Sequence, residues 1–430
     1  MQRGSTILRL VIFLLISCLV KVMDVRGAGL ETGGTQGVSH WAYIWQRVWT
    51  SALCRSLAEH AEEFSALDVF AAEISFQGKP IIFTVDPQWE TLSRFKGDIG
   101  LVVRIGSCKS EFRNDSFESG LILSACKRAI DAAAKQGIRV AELQIDFDAS
   151  TTQLQSYARL LLFIRERIGS VKLVITTLPT WMQSHEFPGL LQCVDGYVLQ
   201  VHSLEKPKNI SDPISLCSAG GACRQIRKAS TFGRPFRVAL PTYGYRMLFD
   251  SFGSKFIGLE AEGPATEWSP GMRRREIWAE TSEVAYVVRF LSKERVEYCG
   301  GISWFRFPTG KDELCWRWAT LAEVMKGRTP GVKLKMETPR NHDGACDLVL
   351  KNEGTDRWIA REAIALQWNS ASLVASDTIK GWRLEHRGEN GVYLHPPLEE
   401  IRLSLQPGDT LKIGWLRLSR DVEVSVKDNP

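Results

Sequence analysis

Two aspartates, Asp146 and Asp148, stand two residues apart at the end of an apolar run that begins at Val140. Apolar and polar residues alternate through Gln144-Ile-Asp-Phe-Asp148, so Gln144, Asp146 and Asp148 would share one face of a buried β-strand. Two carboxylates at this spacing disturb each other's ionisation, as acid/base chemistry requires. In the plainer interpretation of Asp148, the strand ends there and Asp148-Ala-Ser150 caps the next helix.

Further charged residues stand at the ends of other predicted strands. Glu73 lies near the end of the second strand and is the best second carboxylate, as nucleophile or base, although pairing with Arg104 or Arg47 explains it equally well. Arg104 ends the third strand and would also suit an anionic sugar. His202 ends the sixth strand, where it would orient a carboxylate, titrate or simply form a hydrogen bond. Glu142 lies deeper in its strand, and we expect it to pair with an arginine.

Strands and helices alternate from residue 38 to residue 328. Eight βα units over this length predict a (β/α)8 barrel, whose active sites lie at the C-terminal ends of the strands. No Gly-rich phosphate fingerprint follows the first strand, which argues against a dinucleotide site. The predicted strands are His40–Trp49, Leu67–Ile74, Ile99–Ile105, Arg139–Asp148, Lys172–Leu178, Asp195–His202, Arg237–Tyr245 and Gly300–Phe307.

Two segments interrupt this alternation. Lys79–Phe83 predicts a short hairpin arm beside the second strand. A long insertion, Arg246–Arg275, is rich in Gly, Phe and charge, and a helix is predicted to follow it over Glu276–Lys293.

The pattern changes after Pro330. Short runs with alternating polarity, separated by turns such as Asn352-Glu-Gly and Gln406-Pro-Gly-Asp, predict half-buried strands. We therefore expect residues 332–430 to form a β-sandwich of the immunoglobulin-like kind. A structural or partner-binding role suits this domain better than carbohydrate binding.

The totals exclude some classes of function. The chain has 430 residues, of which 44% are hydrophobic, and a net charge of +5. This balance is typical of a globular protein with a large core. The charge is spread along the chain without a basic run, which argues against nucleic-acid binding.

Residues 1–27 predict a targeting segment. Arg3 and Arg9 precede an apolar run that is short for a membrane span. We expect export from the cytoplasm, with cleavage near Val25-Arg-Gly27 and a periplasmic or secreted product. In one alternative, Leu15-Ile-Ser-Cys18 is a lipoprotein box and lipidation of Cys18 anchors the protein to a membrane. In another, the segment stays as an uncleaved anchor.

Nine cysteines follow Cys18. Export permits disulfides, and spacing favours the pairs Cys217–Cys223 and Cys299–Cys315. No cysteine or histidine spacing predicts a zinc site, and nothing in the sequence requires a metal or a cofactor.

Three of these segments resemble motifs of the chitinase-like glycoside hydrolases of family eighteen. Gln144-Ile-Asp-Phe-Asp148 resembles the run Asp-x-Asp-x-Glu, and Ala239-Leu-Pro-Thr-Tyr243-Gly resembles Gly-Leu-Pro-x-Tyr-Gly. Gly300-Gly-Ile-Ser-Trp304 resembles Gly-Gly-x-x-x-Trp, whose Trp floors the sugar site. The chain looks still more like an uncharacterised bacterial family of exported proteins with the same predicted barrel.

The resemblance implies hydrolysis of glycosidic bonds in a polysaccharide or oligosaccharide. It places Asp148 where that family has its proton donor, a Glu, and Asp146 at the assisting Asp. A shift of the alignment by two puts Ser150 at the donor position instead, which predicts a non-catalytic carbohydrate-binding barrel. A third reading is an envelope scaffold that works through the β-sandwich.

The predicted sugar contacts come partly from this resemblance and partly from residue type and position at strand ends. The sixth strand ends Leu199-Gln-Val-His202, without the Tyr that assists the acetamido group in this family, so we do not expect acetamido-assisted hydrolysis. The predicted substrate-binding residues are Gln144, Arg104, His202, Tyr243, Trp304, Trp45 and Trp181.

Overall fold

The computed structural model describes residues 38–108, 111–202, 206–261, 271–340, 345–397 and 403–427. The predicted targeting segment and Cys18 lie outside these residues. Val38–Pro430 forms one compact unit. Among the described residues, no helix is both long enough and apolar enough to cross a membrane.

Eight parallel strands close into a barrel. In chain order, the strands up to the end of the barrel are β1 (His40–Ile44), β2 (Ala66–Ser75), β3 (Ile81–Thr84), β4 (Asp98–Ile105), β5 (Val140–Phe147), β6 (Lys172–Thr177), β7 (Gly196–Gln200), β8 (Phe236–Pro241), β9 (Gly244–Phe249), β10 (Phe256–Glu260), β11 (Arg273–Trp278) and β12 (Cys299–Phe305). The barrel order is β1-β12-β8-β7-β6-β5-β4-β2, and β1 also pairs with β2, which closes it. The predicted (β/α)8 barrel is confirmed.

Helices follow the barrel strands and cover the outside of the barrel. The helices are α1 (Ser51–His60), α2 (Trp89–Ser93), α3 (Phe117–Lys135), α4 (Leu154–Arg165), α5 (Phe187–Gln192), α6 (Ala219–Ser230), α7 (Thr281–Lys293) and α8 (Trp318–Met325), with short 3-10 turns at Ala61–Glu63, Thr151–Gln153 and Pro179–Gln183. Side-chain oxygens of Thr50 and Ser116 cap α1 and α3. The apolar faces of the helices, such as Leu53 and Leu57 of α1, bury against the outer faces of the strands.

The insertion after β8 is a small antiparallel sheet of order β10-β9-β11. The predicted helix from Glu276 is wrong at its start, because Glu276–Trp278 pairs with β9 and the helix begins only at Thr281. The predicted hairpin arm is confirmed, since β3 pairs antiparallel with β2. All nine described cysteines are free, so neither predicted disulfide is formed.

A polar layer fills the bottom of the barrel. The Arg237 guanidinium donates to both carboxylate oxygens of Glu142, at 2.9 and 2.5 Å, and reaches Asp68 at 3.4 Å. The expectation that Glu142 pairs with an arginine is confirmed. Gly100 is required beside them, because a Cβ at that position would lie 2.4 Å from Asp68 Oδ1. Ion pairs, rather than apolar side chains, therefore hold this end of the barrel interior.

The C-terminal part consists of antiparallel sheets around a separate apolar core. Their strands are β13 (Leu334–Glu337), β14 (Cys346–Asn352), β15 (Trp358–Ile359), β16 (Ile364–Gln367), β17 (Leu373–Thr378), β18 (Arg383–His386), β19 (Gly391–His395), β20 (Ser404–Leu405), β21 (Thr410–Leu418) and β22 (Ser425–Lys427). The sheet orders are β13-β14-β21-β17 and β18-β19-β16-β22, with β15 and β20 as a separate pair. A β domain after the barrel is thus confirmed, while its immunoglobulin-like kind and exact boundaries stay predictions.

Polar contacts join the β domain to the barrel. Arg357 lies 3.6 Å from Glu276 of β11, and its guanidinium stacks over the Trp278 ring at 4.1 Å. Arg317, just before α8, donates to Asp409 at 3.1 Å. The β domain therefore contacts both α8 and the inserted sheet.

Candidate functional site

Asp146 is fixed at the C-terminal end of β5, inside the barrel. Arg104 of β4 stands directly beside it in the sheet register and donates from Nη1 at 2.9 Å. Thr176 of β6 donates to the other carboxylate oxygen at 2.7 Å. Only 5% of Asp146 is exposed. A buried carboxylate with a cation and a hydroxyl donor has its orientation fixed and its charge compensated.

Asp148 follows the end of β5 and reaches solvent. Its side chain is 53% exposed, and a carboxylate oxygen lies 3.9 Å from Arg104 Nη2. Partial loss of water raises the pKa of Asp148 to about 6; the charge of Asp146 adds to this rise and Arg104 opposes it. A carboxyl group that keeps its proton in mildly acidic solution and remains accessible suits a general acid.

Asp148 and Ser150 have different surroundings in the structure. Ser150 forms a capping box with Gln153, whose side chain meets both the Ser150 backbone nitrogen and its hydroxyl, at 3.3 and 3.0 Å. The capping function expected of the Asp148-Ala-Ser150 turn thus falls to Ser150. Asp148 is the residue of this turn that lies beside Arg104.

Glu73 enters the site through an irregularity of β2. Phe70 faces the barrel interior, and a register shift between Phe70 and Ala72 brings Glu73 opposite Arg104 instead of turning it outward. Arg47 donates to the Glu73 carboxylate, and Arg104 Nε lies 3.7 Å from it. Glu73 thus forms the ion pairs expected of it, while its role as nucleophile or base stays a prediction. Arg104 thereby links three carboxylates, those of Glu73, Asp146 and Asp148.

Aromatic rings form a floor beside these charges. Trp45, just after β1, lines a cavity of about 600 Å³ together with Arg47. The Arg104 guanidinium lies 5.9 Å from the centre of the Trp45 ring, and the Phe305 and Trp45 ring centres are 5.0 Å apart. Phe305 was not among the predicted sugar contacts. The alternation along β12 contained the signal, because Ser303 bonds to Arg237 inside the barrel and Phe305 has the same parity.

Two predicted sugar contacts are placed elsewhere. Trp304 is fully buried on the outer face of β12, where its indole nitrogen donates to His40 Nδ1 at 3.0 Å. Trp181 is buried under the helices and donates to the Ala149 carbonyl at 3.0 Å. Neither ring faces the barrel interior, because each packs into the core between strands and helices. We therefore assign both to core packing.

Gln144, His202 and Tyr243 lie beneath the surface of the site. Gln144 is fully buried and donates to the Tyr43 hydroxyl at 2.6 Å. His202 Nδ1 lies 3.1 Å from the Tyr243 hydroxyl, and that hydroxyl lies 3.3 Å from the hydroxyl of Tyr245. Burial lowers the pKa of His202 to about 4, so its ring is neutral at physiological pH. These side chains pack beneath the aromatic rings of the site. Both His202 Nε2 and Gln144 Oε1 are buried.

The groups at the rim of the site are carboxylates, guanidinium groups and aromatic rings, a set that occurs in carbohydrate sites. Within the described ranges, no three His, Cys, Asp or Glu side chains lie together so that they could hold a metal ion.

Comparison with known proteins gives a family model and a set of solved barrels. The model described as "Domain of unknown function (DUF3142)" matches residues 111–310. No curated protein sequence matches the chain. The chain is similar in structure to a chitinase from Chromobacterium violaceum, at 14% identity and a TM-score of 0.47, covering 68% of this chain and 98% of that one.

A second similar structure is the spore cortex-lytic enzyme SleL of Bacillus cereus, at 15% identity and a TM-score of 0.43, covering 65% of this chain and 73% of that one. At these values neither likeness indicates a reaction, and the fold rests on the strand pairing described above. This protein is accordingly a (β/α)8 barrel followed by a C-terminal β domain, and much of the barrel matches the DUF3142 model.

Proposed function

We propose that the barrel hydrolyses glycosidic bonds in a polysaccharide or oligosaccharide, with Asp148 as the general acid. Asp146 positions the site and, by its charge, helps Asp148 keep its proton. In a glycosidase the general acid protonates the leaving oxygen as the bond to the sugar carbon breaks. We further propose that the protein works outside the cytoplasm, as the character of residues 1–27 indicates.

One observation carries the proposal. Two carboxylates at the end of a single barrel strand have different surroundings, since Asp146 is locked by Arg104 and Thr176 whereas Asp148 is half exposed with a raised pKa. In enzymes, two carboxylates with contrasting environments often take different roles, one as general acid and the other as base, nucleophile or electrostatic stabiliser. Their place at the C-terminal face of the barrel is where such folds carry their active sites.

A specific contact favours the alternative of a non-catalytic carbohydrate-binding barrel. Glycosidases normally use a second carboxylate as nucleophile or base, and Glu73, our candidate, is held by Arg47 and Arg104. A substrate would have to displace one of these arginines before Glu73 could act. If it does not, the same rim would still bind sugar through Trp45 and the arginines.

The experiment is a comparison of Asp148→Asn with the wild type on polysaccharides and on an aryl glycoside. We expect a loss of at least about a hundredfold in reducing-end release from the polysaccharide, the usual contribution of a general acid. On a dinitrophenyl glycoside the loss should be small, because that leaving group departs without a proton. Asp131→Asn, on the exposed face of α3, is the matched control.

Each outcome discriminates. Equal losses on both substrates would assign Asp148 to binding instead of proton transfer. Unchanged activity in Asp148→Asn would move the acid to another residue, with Glu73 the next to replace. Retained glycan binding without any release by the wild type would establish the non-catalytic barrel.

A further inference from the structure

A second cavity, of about 400 Å³, lies where the barrel meets the β domain. Its walls come from four parts of the chain, namely α1, the loop between β12 and α8, the start of α8, and the β domain. Arg55 and His60 project from α1, Lys311 from the loop, and Pro407 from the β domain. We call this cavity the junction groove. Its volume falls in the range of ligand sites, which often occur between domains.

Positive charge dominates the junction groove. Arg55, Lys311 and Arg317 line it against a single carboxylate, Glu59. Arg317 is engaged by Asp409 at 3.1 Å, but across the described ranges no ion pair involves Arg55 or Lys311. Because the net charge of the whole chain is only +5, this excess of cations is local.

The groove also contains a pair of stacked rings. The His60 ring stacks on the Trp318 indole with centroids 4.1 Å apart and planes 6° from parallel. Burial lowers the pKa of His60, which favours the neutral form of its ring. Stacked rings beside cations suit a ligand with both apolar faces and anionic groups, as in charged sugars.

The junction groove adjoins the cavity at the mouth of the barrel. Both cavities are lined by Thr309 and Lys311, whereas Trp45 lines only the mouth cavity and Arg55 only the junction groove. A polymer that extends from the mouth past Lys311 would therefore enter the junction groove.

We propose that the junction groove binds the anionic groups of a polysaccharide chain whose neighbouring sugars occupy the mouth. The ligand is thus an acidic polysaccharide, recognised through carboxylate or sulfate groups by Arg55 and Lys311. The inference rests on the proposed function in taking a carbohydrate as the ligand, and does not depend on Asp148 as the acid.

The test measures binding of three labelled oligosaccharides of equal length to the full chain. A polygalacturonate fragment carries carboxylates, a dextran sulfate fragment carries sulfates, and a dextran fragment is neutral. The variants are Arg55→Gln/Lys311→Gln and, as a charge-matched control, Lys127→Gln/Lys135→Gln on the exposed face of α3. We expect at least one acidic probe to bind the wild type, and the groove variant to weaken it about tenfold at low salt, as two surface charge contacts would. The difference should fade at high salt.

The results separate this inference from the proposed function. Equal binding of acidic and neutral probes, or equal affinity in the groove variant and the wild type, would overturn the inference even if Asp148→Asn abolishes hydrolysis. Groove-dependent binding of an acidic probe supports it even if no product is ever released. Preference between the carboxylated and the sulfated fragment then identifies the anionic group.

Discussion

Replacing Arg104 by Gln removes the cation that links the three rim carboxylates. Arg104 Nη2 lies 3.9 Å from Asp148, and Nη1 donates to Asp146 at 2.9 Å. Arg104 lowers the pKa of Asp148, in opposition to burial and Asp146. The substitution should therefore raise that pKa further.

The distance sets the size of the effect. At 3.9 Å two unit charges in water-like surroundings attract each other by about 1 kcal/mol. We use the dielectric constant of water because the Asp148 side chain is half exposed. Since 1.36 kcal/mol corresponds to one pKa unit, loss of Arg104 should raise the Asp148 pKa from about 6 by roughly 0.8.

The assay is a titration of carboxyl carbons by NMR, which needs no substrate and no catalytic activity. Arg47→Gln is the control, because Arg47 contacts Glu73 rather than Asp148. We expect the Asp148 pKa to rise in Arg104→Gln and to stay nearly constant in Arg47→Gln. An unchanged or lowered pKa in Arg104→Gln would refute the assignment of Arg104 as the main cation acting on Asp148.

Three further outcomes are expected. If Asp148 is the acid, kcat/KM in a pH–rate profile is highest below about pH 6 and falls as the pH rises through that value, because Asp148 loses its proton. A kcat/KM that instead rises through this range would contradict the assignment of Asp148 as the acid. Arg237→Met leaves Glu142 buried without its partner and should lower the free energy of unfolding, measured in urea, by about 3–5 kcal/mol. The double variant Arg237→Met/Glu142→Leu should recover much of this loss. Equal stability of the two variants would argue against the ion pair as the cause. Arg357→Ala removes contacts with Glu276 and should lower the free energy of unfolding by about 1 kcal/mol, which calorimetry would detect as a lower melting temperature. An unchanged melting temperature would mean that other contacts stabilise the interface between the barrel and the β domain.

Periodicity predicted the parts of the site that follow regular strands. The alternation through β5 placed Gln144, Asp146 and Asp148 on one face, and their neighbours in the structure agree with that face. The number and order of βα units predicted the closed barrel. Both depend on local patterns that the sequence displays directly.

Other features depend on contacts distant in sequence. Glu73 faces Arg104 only because β2 contains a register shift, which its alanine-rich sequence does not display. Trp304 was chosen by motif, but strand parity directs it outward and Phe305 inward. Glu276–Trp278 became a strand because β9 offered it a pairing edge, which overrides local helix preference.

The register shift in β2 has a consequence for how such a rim can diversify. If β2 paired regularly beyond Phe70, strand parity would place Ala72 opposite Arg104 at the rim and turn Glu73 outward among the helices. The deeper residues of β2, which pair with the polar layer through Asp68, would keep their positions. A single register shift at the end of a barrel strand can therefore exchange an apolar rim residue for a charged one while the core below stays intact.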